Sequence, residues 1–90
     1  MDKRLKTRLS KLTGGVNFEE CESSNISAYG YDKNTHSIWI LFKGNVLYEY
    51  PFDKNGSRVY QGLVAAKSKG EYVNRMFVKT KLLFNKKYHL

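Results

Sequence analysis

The sequence predicts an α+β domain: a three-stranded antiparallel β-meander followed by two helices packed on one face. Two observations carry that prediction. Three runs rich in β-branched and aromatic residues, at 26–31, 37–42 and 46–52, are separated by turn-forming stretches. Behind them, residues 57–66 and 68–79 repeat their apolar positions at helical spacing. Strands first and helices after is the order of an α+β architecture rather than of a parallel sheet.

Residues 1–12 read as a basic arm. Leu5, Leu9 and Leu12 recur at i, i+4 and i+7, one side of a helix. Three leucines are a thin stripe, and a helix this short is marginal alone in water. Docking on the domain, docking on a partner or anionic surface, and a frayed end all fit it. Thr13-Gly14-Gly15 breaks the pattern as a flexible joint, so the chain divides into residues 1–15 and a single domain at 16–90. Glu19, Glu20 and Glu22 form an acidic patch able to pair with the arm.

The hairpin between the second and third runs turns at Lys43-Gly44-Asn45, where Gly and Asn suit positive φ. Its register decides what Tyr48-Glu49-Tyr50 is for. A two-residue loop sets the tyrosines beside Trp39 and Leu41. A three-residue loop sets them beside Ile38 and Ile40, and a slip of one residue moves every side chain to the other face. The three-residue loop is preferred, because it gathers Ile38, Ile40, Phe42, Val46, Tyr48 and Tyr50 into one apolar face. Trp39, Leu41 and Leu47 then share the other face with Glu49, and too little chain follows to cover them. Pro51 lacks a ladder donor and marks an edge or an exit.

Ser57 is expected to cap the first helix, with Val59, Tyr60, Leu63 and Val64 at helical spacing. Ser68-Lys69-Gly70-Glu71 has the S-x-x-E form of a capping box opening the second, where Tyr72, Val73, Met76 and Phe77 repeat. Gly70 costs about 1 kcal/mol of helix propensity relative to Ala. That points to a close backbone approach or to tolerance at a helix end. Residues 80–90 place Leu82, Leu83 and Phe84 among lysines, which suits docking on the sheet or in an interface.

Ninety residues make one domain, with 41% apolar and 14% aromatic residues, enough for one core. No run approaches the roughly 18 apolar residues of a membrane span. The basic N-terminal stretch has no apolar core, so a secretory signal is not expected. A lone cysteine, Cys21, fits a reducing, cytoplasmic location. The net charge of +8 is segregated: five cations against one carboxylate over 1–12, two against five over 13–52, nine against two over 53–90. Such asymmetry suits a polyanion or an acidic protein surface.

Several motifs resemble the KTSC domain, a family named for the C-terminal domain of some lysyl-tRNA synthetases. They are Ser23-Ser24-Asn25-Ile26, Tyr29-Gly30-Tyr31-Asp32, the central Tyr48-Glu49-Tyr50, and Ser68-Lys69-Gly70 followed by Tyr72 and Asn74. The resemblance spans about residues 23–80 and excludes the arm. Pro51-Phe52-Asp53 stands where it implies a Val-Pro. It implies RNA binding without established catalytic chemistry. A stand-alone member this small also suits a phage or mobile-element protein acting on a host target.

Catalysis needs a nucleophile with a base, paired carboxylates or a metal cluster. Cys21 lies among glutamates, which raise a thiol pKa. His36 sits in a turn and His89 beside the C-terminus. No phosphate-loop motif is present. The chain is therefore read as a binding module with no cofactor and no metal. RNA, or another polyanion, is the expected partner, held by Lys67, Ser68, Lys69, Gly70, Arg75 and Lys79, with Trp39 as a stacking platform. The alternative is a protein-interaction or inhibitor module that binds a host protein, or a homodimer, through the Trp39 face and the apolar tail.

Overall fold

The computed structural model describes residues 1–90. The α+β class holds, but the sheet has five strands rather than three and helices cover both its faces rather than one. The strands are β1 (Phe18–Glu20), β2 (Ile26–Asp32), β3 (Ser37–Phe42), β4 (Val46–Tyr50) and β5 (Lys86–His89). They form one antiparallel meander in chain order. The helices are α1 (Lys3–Thr13), α2 (Gly56–Ala65) and α3 (Lys69–Val73), the last running on as a π-helical segment, Asn74–Val78.

Both added strands lie at the sheet edges. β1 is too short to show a two-residue period, and it gains its hydrogen bonds by lying beside β2, with Glu19 opposite Tyr29. β5 has no β-branched residue, and its Lys-Lys-Tyr-His sequence does not read as a strand in isolation. Pairing of Leu47 with Tyr88 and a bond from the Asn85 N–H to the Glu49 carbonyl (2.7 Å) place it. Lysines on an exposed edge also discourage unwanted strand pairing.

The central hairpin has the three-residue loop. Phe42 lies opposite Val46, Ile40 opposite Tyr48 and Ile38 opposite Tyr50. Gly44 (φ 89°) and Asn45 (φ 61°) take the left-handed conformations that close it. A bulge between Ile26 and Ala28 resets the alternation of β2. Ile26 thereby joins Tyr29 on the face of Ile38 and Ile40, while Ala28 joins Trp39 and Leu41 on the other.

Each face supports its own core. Under α2, α3 and the π-helical segment, Ile26, Ile38, Ile40, Tyr50, Leu63, Val73 and Phe77 pack together. The opposite core is Leu9, Ala28, Trp39, Leu41 and Leu47, with Leu5, Leu12, Tyr88 and Leu90 at its margin. The basic arm is thus a helix of the domain, its three leucines turned onto the sheet. Asp2 caps it, accepting from the Arg4 N–H at 2.7 Å. Gly14, in the left-handed conformation, closes it with an N–H to the Ser10 carbonyl. The Gly-Gly stretch is therefore a helix stop rather than a flexible joint.

Ser57 does not cap α2. That helix begins one residue earlier, after Asn55, with no side-chain cap. Asp53 instead accepts from the Asn55 N–H at 2.9 Å, and Gly56 is packed beneath the turn that precedes β3. Ser68 caps α3 as its motif predicts.

Truncating the one fully buried side chain of α1 tests whether the helix belongs to the cooperative unit. Leu9→Ala is expected to lower stability by about 2–5 kcal/mol. Urea unfolding, followed through Trp39 fluorescence, should show one transition at a lower midpoint. An unchanged midpoint would place α1 outside the folding unit.

Candidate functional site

The Ser68-Lys69-Gly70 segment is occupied within the fold. Ser68 Oγ accepts the Glu71 N–H at 3.2 Å. Lys69 Nζ donates to the carbonyls of Val64 (3.1 Å) and Ala66 (2.8 Å), satisfying the C-terminal end of α2. Gly70 is buried against the start of β2. Its carbonyl accepts from Asn25 Nδ2 at 3.3 Å, and Ser23 Oγ donates to Asn25 Oδ1 at 2.8 Å. A Cβ on Gly70 would collide with both side chains. The close approach implied by a glycine in the first turn is therefore met by Ser23 and Asn25, not by a ligand. Gly70 thus ties α3 to the start of β2, and Lys69 ties it to α2.

The remaining cations of that region are free at the surface. Lys67, Ser68, Glu71, Tyr72 and Arg75 line a shallow pocket of about 300 Å³ between α2 and α3. The Arg75 guanidinium sits over the Tyr72 ring, 5.8 Å from its centroid. Tyr72 is anchored by its hydroxyl, which donates to the Val59 carbonyl at 2.9 Å. Lys79 is exposed just beyond the π-helical segment, four residues after Arg75.

Trp39 is not a stacking platform. It is 2% exposed beneath α1, and its ring lies nearly parallel to Tyr88 at 6.5 Å. The sequence places it on an open face because three leucines on a basic arm do not announce a helix that docks. Its indole N–H is a buried donor without a partner.

The Tyr-x-Tyr pair divides in role. Tyr50 is core, 4% exposed, with its ring edge against Phe77 at 4.8 Å. Tyr48 is half-buried and stacks on Tyr50 at 5.7 Å. It forms one wall of a groove of about 450 Å³ that the sequence reading did not find. Phe42, Val46, Tyr50, Phe77, Val78 and Leu82 complete the apolar lining, and Lys81, Lys87 and His89 line it as well. Lys87 Nζ lies 5.3 Å from the Tyr48 centroid. The signal available in sequence was the alternation of Lys87 and His89 with Tyr88, which a strand sends to one face.

Burial pushes the Cys21 thiol up, with Lys69 and Lys43 opposing it weakly. The direction is the expected one, but the cause is desolvation rather than the neighbouring glutamates. Burial also pushes the phenols of Tyr50 and Tyr60 up to about 12, Tyr50 further raised by Tyr48 and Tyr60 by Tyr29. No three His, Cys, Asp or Glu side chains converge on a common point.

A family model described as the KTSC domain matches residues 22–79. The chain belongs to the KTSC domain family. A KTSC domain protein from Yersinia pestis, known from a crystal structure, is 27% identical, with a TM-score of 0.65. The alignment covers 80% of this chain and 97% of that one. Among curated proteins, none matches the chain. The matched segment of this KTSC domain runs from β2 through the π-helical segment and includes the Ser23–Asn25–Gly70 joint. Helix α1 and strand β5, which complete the second core, lie outside it.

Two outcomes test this description. Gly70→Ala should destabilise by about 1–3 kcal/mol, because the added methyl displaces Ser23 and Asn25; urea denaturation measures it. The native fold keeps Tyr50 and Tyr60 protonated above the usual phenol range, so it binds more protons than the unfolded chain between pH 10 and about 12. Stability should therefore fall as pH rises through that window. Tyr60→Phe should flatten the fall in a series of unfolding curves, and an identical slope would contradict the assignment.

Proposed function

We propose that this KTSC domain is a nucleic-acid-binding module whose first ligand is single-stranded RNA, acting by binding without catalysis in the cytoplasm. The observation that supports it is the meeting of Lys67 and Arg75 beside the Tyr72 ring, with Lys79 exposed further along. Two exposed cations suit neighbouring phosphates, and the Arg75 guanidinium, backed by the Tyr72 ring, offers a plane for a base. The segregated charge supports the same reading, since residues 53–90 carry nine cations against two carboxylates. Long-range attraction from such a surface speeds encounter with a polyanion.

The Ser-Lys-Gly segment contributes indirectly. Lys69 and Gly70 hold α3 against α2 and β2, and so set the spacing between Lys67 and Arg75. Ser68 lines the pocket but spends its hydroxyl on the Glu71 N–H. The binding charge therefore resides in Lys67, Arg75 and Lys79, and Lys69 acts on stability.

Titration of labelled oligouridine at two salt concentrations tests the proposal. With three phosphate contacts, log K should fall with log salt at a slope of about −2, and each cation removed should reduce that slope by about 0.7. Lys67→Ala, Arg75→Ala and Lys79→Ala should weaken binding with the fold intact. Absence of RNA and DNA binding at low salt would overturn it.

A further inference from the structure

We propose that the groove beside β5 docks an extended, acidic segment of a partner protein, one large apolar side chain seated against Tyr48 and Val78. This site is separate from the Lys67–Arg75 surface and goes beyond the nucleic-acid reading. Most of its lining residues are hydrophobic, and two lysines and a histidine but no carboxylate stand among them. A volume of about 450 Å³ accepts a bulky side chain and leaves the ends of the segment outside. Val78 on the groove wall is 46% exposed, and the apolar surface continues past the groove at Phe84 (49% exposed) and Leu83 (83%). Phe84 extends the Tyr48 wall, its ring edge-on at 4.8 Å.

The sheet supplies the backbone partner. β5 ends the strand order, so its outer edge is unpaired. Lys87 and His89 alternate with Tyr88, which packs towards the Trp39 core, so they project on the groove side. A strand laid along that edge hydrogen-bonds through its backbone and sends alternate side chains over the groove. The lysines that guard the edge against neutral strands select an acidic one.

A nucleobase fits this groove less well. Stacking needs a free ring face. One face of Tyr48 is taken by Tyr50 and the ring also carries the Lys87 ammonium, while Phe77 is buried. What the groove offers is aliphatic groups and ring edges, which suit a leucine, methionine or phenylalanine side chain.

Panning a random peptide library on the immobilised protein tests this, followed by fluorescence anisotropy with the enriched peptides. Enrichment of acidic sequences with one large apolar residue is expected. Val78→Glu and Lys87→Glu, both at exposed positions, should weaken those peptides at least about tenfold, about 1.4 kcal/mol. Lys67→Ala and Arg75→Ala should leave them unchanged and weaken only RNA. Basic or unenriched sequences would overturn the proposal, as would peptide affinity unaltered by both groove variants. Displacement of the peptide by oligouridine would assign the groove to nucleic acid, and self-association abolished by Val78→Glu would assign it to a second copy. Either result rejects the acidic partner.

Discussion

Burial of β3 on both sides is the constraint that the rest of the chain meets. Ile38, Trp39, Ile40 and Leu41 are each 2% exposed or less, so consecutive residues on opposite faces are equally removed from water. A strand with no polar face must be central and must be covered twice. The C-terminal helices cover one side with Leu63, Val73 and Phe77. Helix α1 covers the other with Leu9 at its centre. Full burial of a side chain of this size contributes about 1.5–3 kcal/mol relative to exposure. That gain is what holds a short helix that would be marginal alone.

The demand for two covers explains how the charge is placed. In α1 the leucines face the sheet and the cations face water, so a basic arm becomes a basic outer layer. In α3 and the π-helical segment, Val73 and Phe77 face the core while Arg75 and Lys79 remain outside. The C-terminal strand repeats the division at shorter period: Tyr88 packs inward, and Lys87 and His89 stand beside the groove. Segregated charge is thus a by-product of amphipathic packing, and in the proposed function it also serves to attract a polyanion.

A polar joint does the work that apolar packing cannot. Gly70, Ser23 and Asn25 bring the first turn of α3 onto the start of β2, and Lys69 satisfies the carbonyls that end α2. Removing a partner from such a group costs its desolvation, about 1–3 kcal/mol for a neutral donor or acceptor. The Ser-Lys-Gly motif that looks like an anion cradle in sequence is therefore an architectural feature. The surfaces proposed for partners are the Lys67–Arg75 patch and the groove beside Tyr48.

The middle of the chain was legible from residue order. Strands β2 to β4, the Lys43–Asn45 loop with its register, the Ser68 cap and the family resemblance all rest on local signals. These are alternation, turn chemistry and capping, which act within a few residues. Gly70 also announced a close approach, though not by what. The two ends were not legible. Strands β1 and β5 and the seat of α1 depend on contacts across the fold: Tyr88 against Leu47, Leu9 against the Trp39 core, Phe18 opposite Gly30. Sequence alone determined that β3 is apolar on both faces, with helices expected over one and the Trp39 side left open. Only the tertiary structure decided that α1 covers the Trp39 side. The energy of docking three leucines lies in the surface they meet, and no local pattern carries it.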